Sequence, residues 1–153
     1  MRLWPLAILD QLPRQQLLGQ HRECCALRGK GWGRKHATVD YVFKHPYWWL
    51  AKYHGWVIVE MLEHKYEIDD RWLSERYRGE KIGFDNTSFA NADYSYDARN
   101  NITGRYEFYP RIYPEHDEKY LDECISNLAA KGVKIDRNIA LQKLEDYAAS
   151  NHS

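Results

Sequence analysis

Glu23 is the residue of this sequence that is best placed to do chemistry. It lies in a segment, Arg14 to Arg28, that has helical apolar spacing. Residues three or four apart share a helix face, so Glu23 falls on one stripe with Gln16, Gly19 and Ala26. The small side chains beside Glu23 leave room for a large molecule to approach a carboxylate that can transfer a proton or stabilise positive charge. Helix–helix packing through Gly19 and Ala26 explains the same stripe without any chemistry.

A basic, glycine-rich segment, residues 29–36, follows this helix. Three glycines within five residues are incompatible with a helix interior, so the segment is predicted to be a loop. Glycines let a backbone approach phosphates closely, and cations then neutralise them. The spacing does not match that of a Walker nucleotide-binding loop. We therefore predict a general phosphate-contacting loop, whose side chains beside the glycines are Lys30, Trp32, Arg34, Lys35 and His36.

The charge of the chain is distributed unevenly, although its formal net charge is zero. Residues 1–55 contain nine lysines and arginines and three acidic residues, so they carry +6 and the remainder carries −6. Such asymmetry predicts a basic face in the N-terminal part that would bind a polyanion. Chance variation over a balanced surface is the alternative explanation.

Four helices are predicted to position these residues. The first is Arg14 to Arg28, with Pro13 in its first turn and Gly29 after its end. Its buried face is predicted to carry Leu17, Leu18, His21, Cys24, Cys25 and Leu27. Later helices are expected from Pro46 to about His64, from Glu115 to Ala130 and from Arg137 to Ala149, with a turn at residues 66–72 and a long structured loop at residues 79–114. The sequence thus predicts an all-α fold, a compact single domain over residues 1–153 with three to four helices and long structured loops.

Cysteine and histidine spacing gives no sign of a cofactor or metal. Three cysteines, two of them adjacent, form neither a disulfide framework nor a zinc ribbon. The histidines show no HxH or HExxH spacing. The apolar run at the start is too short for a signal peptide or a membrane span. We expect a cytoplasmic protein with no cofactor, no metal and no membrane partner.

Three stretches carry a resemblance to the pyrimidine-dimer DNA glycosylases of the phage endonuclease V type. Residues 15–23 (QQLLGQHRE) resemble that family's first helix, and Arg34-Lys35-His36 resemble the basic triplet after it. Residues 61–69 (MLEHKYEID) are similar to the end of its second helix. The match covers about the first 70 residues. It is closest to a bacterial branch that begins Met-Arg-Leu-Trp, as this chain does.

The resemblance implies a DNA glycosylase with an associated AP lyase activity. In the family, the α-amino group attacks C1′ of a damaged nucleotide, displaces the base and forms an imine. A helix-one glutamate, here Glu23, assists this step and the β-elimination that cuts the strand. An α-amino group has a pKa of about 7.7–8, so a useful fraction is unprotonated at neutral pH. The catalytic residues are accordingly predicted to be Met1, Arg2 and Glu23, and the DNA-binding residues to be Arg22, Arg28, Lys30, Trp32, Arg34, Lys35 and His36.

The chain departs from the family at its start. Known members expose a small residue after loss of the initiator methionine, whereas position 2 here is arginine. Gln16 stands where the family carries a histidine. The retained Met1 amine is therefore the predicted nucleophile, close in space to Glu23 and on the same face as the Gly29–Gly33 loop.

The predicted partner is double-stranded DNA that contains damaged bases, whether pyrimidine-dimer-like or abasic, bound by a monomer. Two alternatives remain open at this point. One is a non-enzymatic nucleic-acid-binding domain that retains the scaffold and the basic loop. The other is a metal-dependent nuclease, which needs clustered carboxylates that only the acidic half of the sequence could supply.

Overall fold

A computed structural model describes residues 2–34, 38–85 and 112–152 of the chain. These ranges form four α-helices: α1 (Arg14–Arg28), α2 (Tyr47–Glu63), α3 (Glu118–Ala130) and α4 (Arg137–His152). Three short 3-10 helices, Leu6–Gln11, Asp40–Lys44 and Asp70–Leu73, connect them. Within the described ranges there is no β-strand, only an isolated bridge between Tyr77 and Phe84. The predicted all-α fold is confirmed.

Helix α1 has the bounds that its sequence predicts. Pro13 precedes its first residue and Gly29 follows its last, where the Gly29 N–H donates to the Cys25 carbonyl at 3.0 Å. Leu17, Cys24 and Leu27 are buried on the predicted face. That face also buries two polar residues, Gln20 and Arg28. Gln20 bonds the N-terminal segment, and Arg28 bonds α2 and residues 72–77.

Helix α2 packs along α1 and supplies the densest part of the core. It begins after Pro46, as predicted, and buries Leu50, Tyr53, Val57 and Met61. The 3-10 helix at Leu6–Gln11 packs against the same core through four buried apolar residues. The N-terminal segment is therefore an integral part of the fold.

Helix α3 begins three residues later than the sequence predicted. The Asp117 carboxylate accepts a hydrogen bond from the Tyr120 N–H at 2.9 Å, so Asp117 is the N-cap and Glu115 lies outside the helix. Gly132 follows the helix with a φ of 82°, a conformation that favours glycine. Helix α4 extends past the predicted Ala149 to His152. Most of the loop predicted at residues 79–114 lies outside the described residues.

Arg28 is a buried structural residue, which corrects its interpretation as a DNA contact. Its side chain is 1% exposed. Each of its five N–H groups has an acceptor: Nε donates to Tyr47 Oη, Nη1 to His54 Nδ1 and the Trp72 carbonyl, and Nη2 to the Ser74 and Tyr77 carbonyls. The guanidinium thus fastens residues 72–77 to α1 and α2. A phosphate could reach it only by displacing these acceptors.

Removal of Arg28 is expected to destabilise the fold strongly. Arg28→Met would leave several buried acceptors without a donor, and losing hydrogen bonds to a buried charged group should lower the free energy of unfolding by at least about 3 kcal/mol. The measurement is urea-induced unfolding. Arg22→Met on the exposed face of the same helix is the control, expected within about 0.5 kcal/mol of the parent. Equal stability of the two variants would contradict this role for Arg28.

Candidate catalytic and nucleic-acid-binding site

A pocket of about 580 Å³ opens over the stripe of α1 that carries Glu23. The N-terminal segment contributes Arg2 and Trp4 to its wall, and Thr38 lies at its edge. Helix α3 contributes Asn127, and Lys131 follows the end of that helix. The α1 residues that line it are Gln15, Gln16, Gly19, Gln20, Arg22 and Glu23. Residues far apart in the chain therefore meet around one carboxylate.

The stripe is open to a ligand instead of being used for helix packing. Among the described residues, a Cβ built at Gly19 would have only the Arg22 side chain within 4 Å, at 3.8 Å, so no described helix packs against this glycine. Ala26, the other small residue on the stripe, is exposed. Glu23 itself is half-buried, which confirms the prediction that it is partly exposed. Within the part of the chain that the structure describes, Gly19 and Ala26 are therefore not used for helix–helix packing, the alternative left open by the sequence.

The pocket carries an excess of positive charge. Of the described residues that line it, Arg2, Arg22 and Lys131 are cations and Glu23 is the carboxylate. The Arg2 side chain also lies 4.0 Å from Glu123 on α3, although that acid is largely exposed and screened by solvent. Lys131 Nζ lies 5.6 Å from the centre of the Trp4 ring, which gives a cation–π contact across the pocket. An anionic ligand would be attracted to this pocket and would meet Glu23 inside it.

Lys131 and Asn127 are site residues that sequence reasoning missed. Both come from α3, more than a hundred residues after Glu23, and no motif marks them. The amide oxygen of Asn127 is buried and has no hydrogen-bond partner among residues 2–34, 38–85 and 112–152. Among the described lysines, Lys131 lines this pocket, whereas Lys30, which sequence reasoning placed nearby, does not line it. Helical spacing is the sequence feature that could have linked them, because Asn127 and Lys131 are four positions apart and so share one helix face.

The other predicted DNA-binding residues lie in three different settings. Arg22 is exposed at the pocket wall, and Lys30 and Arg34 are exposed in the loop that follows α1. Trp32 is half-buried, with its ring edge-to-face on Phe43 at 5.1 Å and on Tyr47 at 5.2 Å, so it packs on the core and is not presented for stacking on a base. Arg28 is buried, as described above. Met1, Lys35 and His36 lie outside the described residues.

Lys52 lies inside the protein, like Arg28. Its side chain is 6% exposed, and its ammonium lies 4.1 Å from the centre of the Trp48 ring. Two of the nine cations that make the N-terminal part basic are therefore internal. The surface available to a polyanion is smaller than the sequence count indicates.

His21, Cys25 and His54 form a cluster with the spacing of metal ligands. One donor atom from each lies within 4.8 Å of the others. Arg28 Nη1 donates to His54 Nδ1 at 2.9 Å, so neutral His54 carries its proton on Nε2 and donates it to His21 Nδ1 at 2.8 Å. A metal at Nε2 would require the proton on Nδ1, facing the Arg28 donor. The donor set therefore fits a hydrogen-bonded chain better than metal ligation.

The protonation of this cluster follows from its burial. Desolvation, with the charge of Arg28 acting in the same direction, holds the pKa of His54 well below 6.5. Burial raises the pKa of the Cys25 thiol to about 12. Both groups are neutral at physiological pH, so the cluster is a structural link between α1 and α2 on the side of α1 away from Glu23.

No helix in the described ranges is long and apolar enough to cross a membrane. No curated protein and no solved structure matches the chain. Residues 1–74 match the sequence model of the pyrimidine dimer DNA glycosylase family. The matched range contains Glu23, Arg22 and the N-terminal segment, together with α1 and α2, while Asn127 and Lys131 of the pocket lie beyond it. Residues 1–74 of this chain are therefore similar to the pyrimidine dimer DNA glycosylase family.

Proposed function

We propose that this protein is a DNA repair glycosylase with an associated AP lyase activity, acting on damaged nucleotides through its N-terminal amine and Glu23. The observation that carries the proposal is the pocket in which Glu23 and residues of the N-terminal segment, Arg2 and Trp4, face one cavity. The match of residues 1–74 to the pyrimidine dimer DNA glycosylase family supports DNA with damaged pyrimidines as the substrate. The excess of cations around Glu23 supports an anionic ligand.

The chemistry uses the lone pair of the amine. Attack on C1′ forms a C–N bond as the bond from C1′ to the base breaks, and the base leaves with the electron pair and takes up a proton. The nitrogen then loses a proton, and the bond from C1′ to the ring oxygen O4′ breaks as O4′ takes up a proton, so the sugar ring opens and an iminium forms. This iminium makes the proton on C2′ acidic. Its removal lets the bond from C3′ to oxygen break, and the 3′ phosphate leaves. Glu23 is the group that stabilises the cationic sugar and transfers these protons.

The cations have a separate task in this proposal. Arg2, Arg22 and Lys131 neutralise the phosphates on either side of the reacting sugar and hold it against Glu23. A duplex must be kinked or a nucleotide extruded to expose C1′, at a cost of a few kcal/mol that damage lowers. A pocket of about 580 Å³ has room for an extruded nucleotide.

Borohydride trapping tests the proposal directly. The protein is mixed with a duplex oligonucleotide that contains one abasic site, reduced with borohydride, and digested for mass mapping of the cross-linked peptide. We expect a covalent adduct on the α-amino group of the N-terminal peptide. DNA binding without any adduct would overturn the enzymatic proposal and favour the non-enzymatic binding domain.

The same map distinguishes the two amines associated with the pocket. An adduct on the peptide that contains Lys131 would identify a side-chain nucleophile instead. Lys131→Arg keeps the positive charge but cannot form an imine, because a guanidinium stays protonated. If the N-terminal amine is the nucleophile, Lys131→Arg retains the adduct.

DNA binding is expected to depend strongly on salt. Four exposed cations, Arg22, Lys30, Arg34 and Lys131, are available to phosphates, and neutralising about four phosphates gives a slope near −3.6 for log K against log salt. Lys131→Met should reduce that slope by about 0.9. Lys134→Met, an exposed lysine outside the pocket, is the control and should leave it unchanged. The measurement is fluorescence anisotropy over a salt series, and a flat response would contradict phosphate contacts.

A further inference from the structure

The backbone of residues 2–4 is held by side chains from three helices. Gln20 Nε2 on α1 donates to the Arg2 carbonyl at 2.9 Å, and Gln20 Oε1 accepts from the Trp4 N–H at 2.6 Å. The hydroxyl of Tyr53 on α2 donates to the Trp4 carbonyl at 2.5 Å and lies 2.9 Å from Gln20 Oε1. The hydroxyl of Tyr120 on α3 donates to the Leu3 carbonyl at 2.8 Å.

The carboxamide of Gln20 pairs with the N-terminal segment as a neighbouring strand would. It donates to the carbonyl of Arg2 and accepts from the N–H of Trp4, two groups that lie on the same edge of an extended backbone. The segment is thereby kept extended along α1, the helix that carries Glu23. Gln20 itself is 2% exposed, so water does not compete for these bonds.

These side chains have two effects on residues 2–4. They satisfy backbone groups beside the fully buried Leu3, and they fix the course of the backbone there. Gln20 and Tyr53 place a carboxamide and a hydroxyl in the core. Burying such polar groups costs free energy unless they form hydrogen bonds. Both groups form hydrogen bonds with residues 2–4, the backbone that directly follows the N-terminal amine.

We propose that Gln20, Tyr53 and Tyr120 form a clamp that positions the N-terminal amine against Glu23. This inference rests on the proposed function, because positioning the N-terminal amine matters only if that amine is the nucleophile. A trans peptide separates neighbouring Cα atoms by about 3.8 Å, so fixing the Arg2 carbonyl restricts where the preceding amine can reach. The three residues are positioning residues, because they act through their hydrogen bonds to the backbone of residues 2–4.

The clamp predicts a loss of reaction rate without a loss of DNA affinity. A misplacement of the nucleophile by about 1 Å costs up to about 100-fold in rate. We therefore expect Gln20→Met and Tyr53→Phe to slow single-turnover imine trapping on abasic DNA by about 10- to 100-fold. Because the phosphate-contacting cations are untouched, the dissociation constant for the same DNA in the absence of borohydride should stay within about 2-fold.

Tyr47→Phe is the matched control. It removes a buried hydroxyl from the same helix α2, but Tyr47 Oη bonds Arg28 and does not touch residues 2–4. Its melting temperature reports the stability cost of such a deletion, and its trapping rate should stay close to that of the parent. Tyr120→Phe is the second clamp variant if Gln20→Met does not fold, because Tyr120 is only partly buried.

The outcomes separate the clamp from the reaction itself. Slow trapping in the clamp variants, with parental affinity and a melting temperature like that of Tyr47→Phe, supports the clamp. Trapping as fast as in Tyr47→Phe overturns the clamp and leaves the proposed function intact. A parent protein that binds abasic DNA but forms no adduct overturns both.

Discussion

Replacing Glu23 with glutamine is expected to lower the single-turnover rate of base release and strand cleavage by about 10²- to 10⁴-fold, the usual contribution of a positioned acid–base group. The substitution keeps the size of the side chain, so the pocket over α1 should retain its shape. It removes the negative charge that stabilises a cationic sugar and the group that transfers protons. The measurement is cleavage of a labelled duplex that carries a single lesion.

DNA affinity is the companion measurement for this variant. Glu23 is the carboxylate among three cations in the pocket, so its neutralisation should leave binding unchanged or make it tighter. Glu63→Gln, an exposed glutamate on α2 outside the pocket, is the control and should match the parent in both rate and affinity. Unimpaired cleavage by Glu23→Gln, or an equal loss in the control, would remove Glu23 from the mechanism.

The local signals in the sequence predicted the helices well. Pro13 and Gly29 bound α1 because one lacks the N–H that a first turn does not need and the other tolerates a helix end. Glu23 could be identified as a candidate because the residues that share its helix face follow from their spacing in the sequence. The start of α3 was placed too early, since several acidic residues compete for the N-cap and only Asp117 bonds the backbone.

Tertiary contacts decided what the sequence could not. Arg28 is a basic residue in a basic part of the sequence, which predicts a DNA contact. In the structure its five N–H groups donate to acceptors on α2 and in residues 72–77. Gln20 lies among polar residues and is unremarkable in the sequence, yet it is buried against Arg2 and Trp4. Lys131 joins the pocket through the packing of α3 on the N-terminal segment. Apolar periodicity shows which face of a helix is buried, but it does not show which element packs against that face.

Adding residues before Met1 is expected to abolish imine trapping and strand cleavage on abasic DNA. The extension converts the amine into an amide, whose nitrogen lone pair is delocalised and does not attack C1′. An unmodified amine with a pKa of about 7.7–8 is the reactive form in the proposal. The clamp formed by Gln20, Tyr53 and Tyr120 would still hold residues 2–4, so the fold and most of the DNA affinity should persist.

A removable extension supplies the control within one sample. The added segment ends in a protease site that is cut directly before Met1, so digestion restores the native amine. Adduct formation should be absent before digestion and return after it, while binding to the same DNA measured by anisotropy stays similar throughout. Trapping by the extended protein at the native rate would exclude the terminal amine. Lys131, the lysine in the Glu23 pocket, would then be the nucleophile to test, and Lys131→Arg in the extended protein should abolish the remaining adduct.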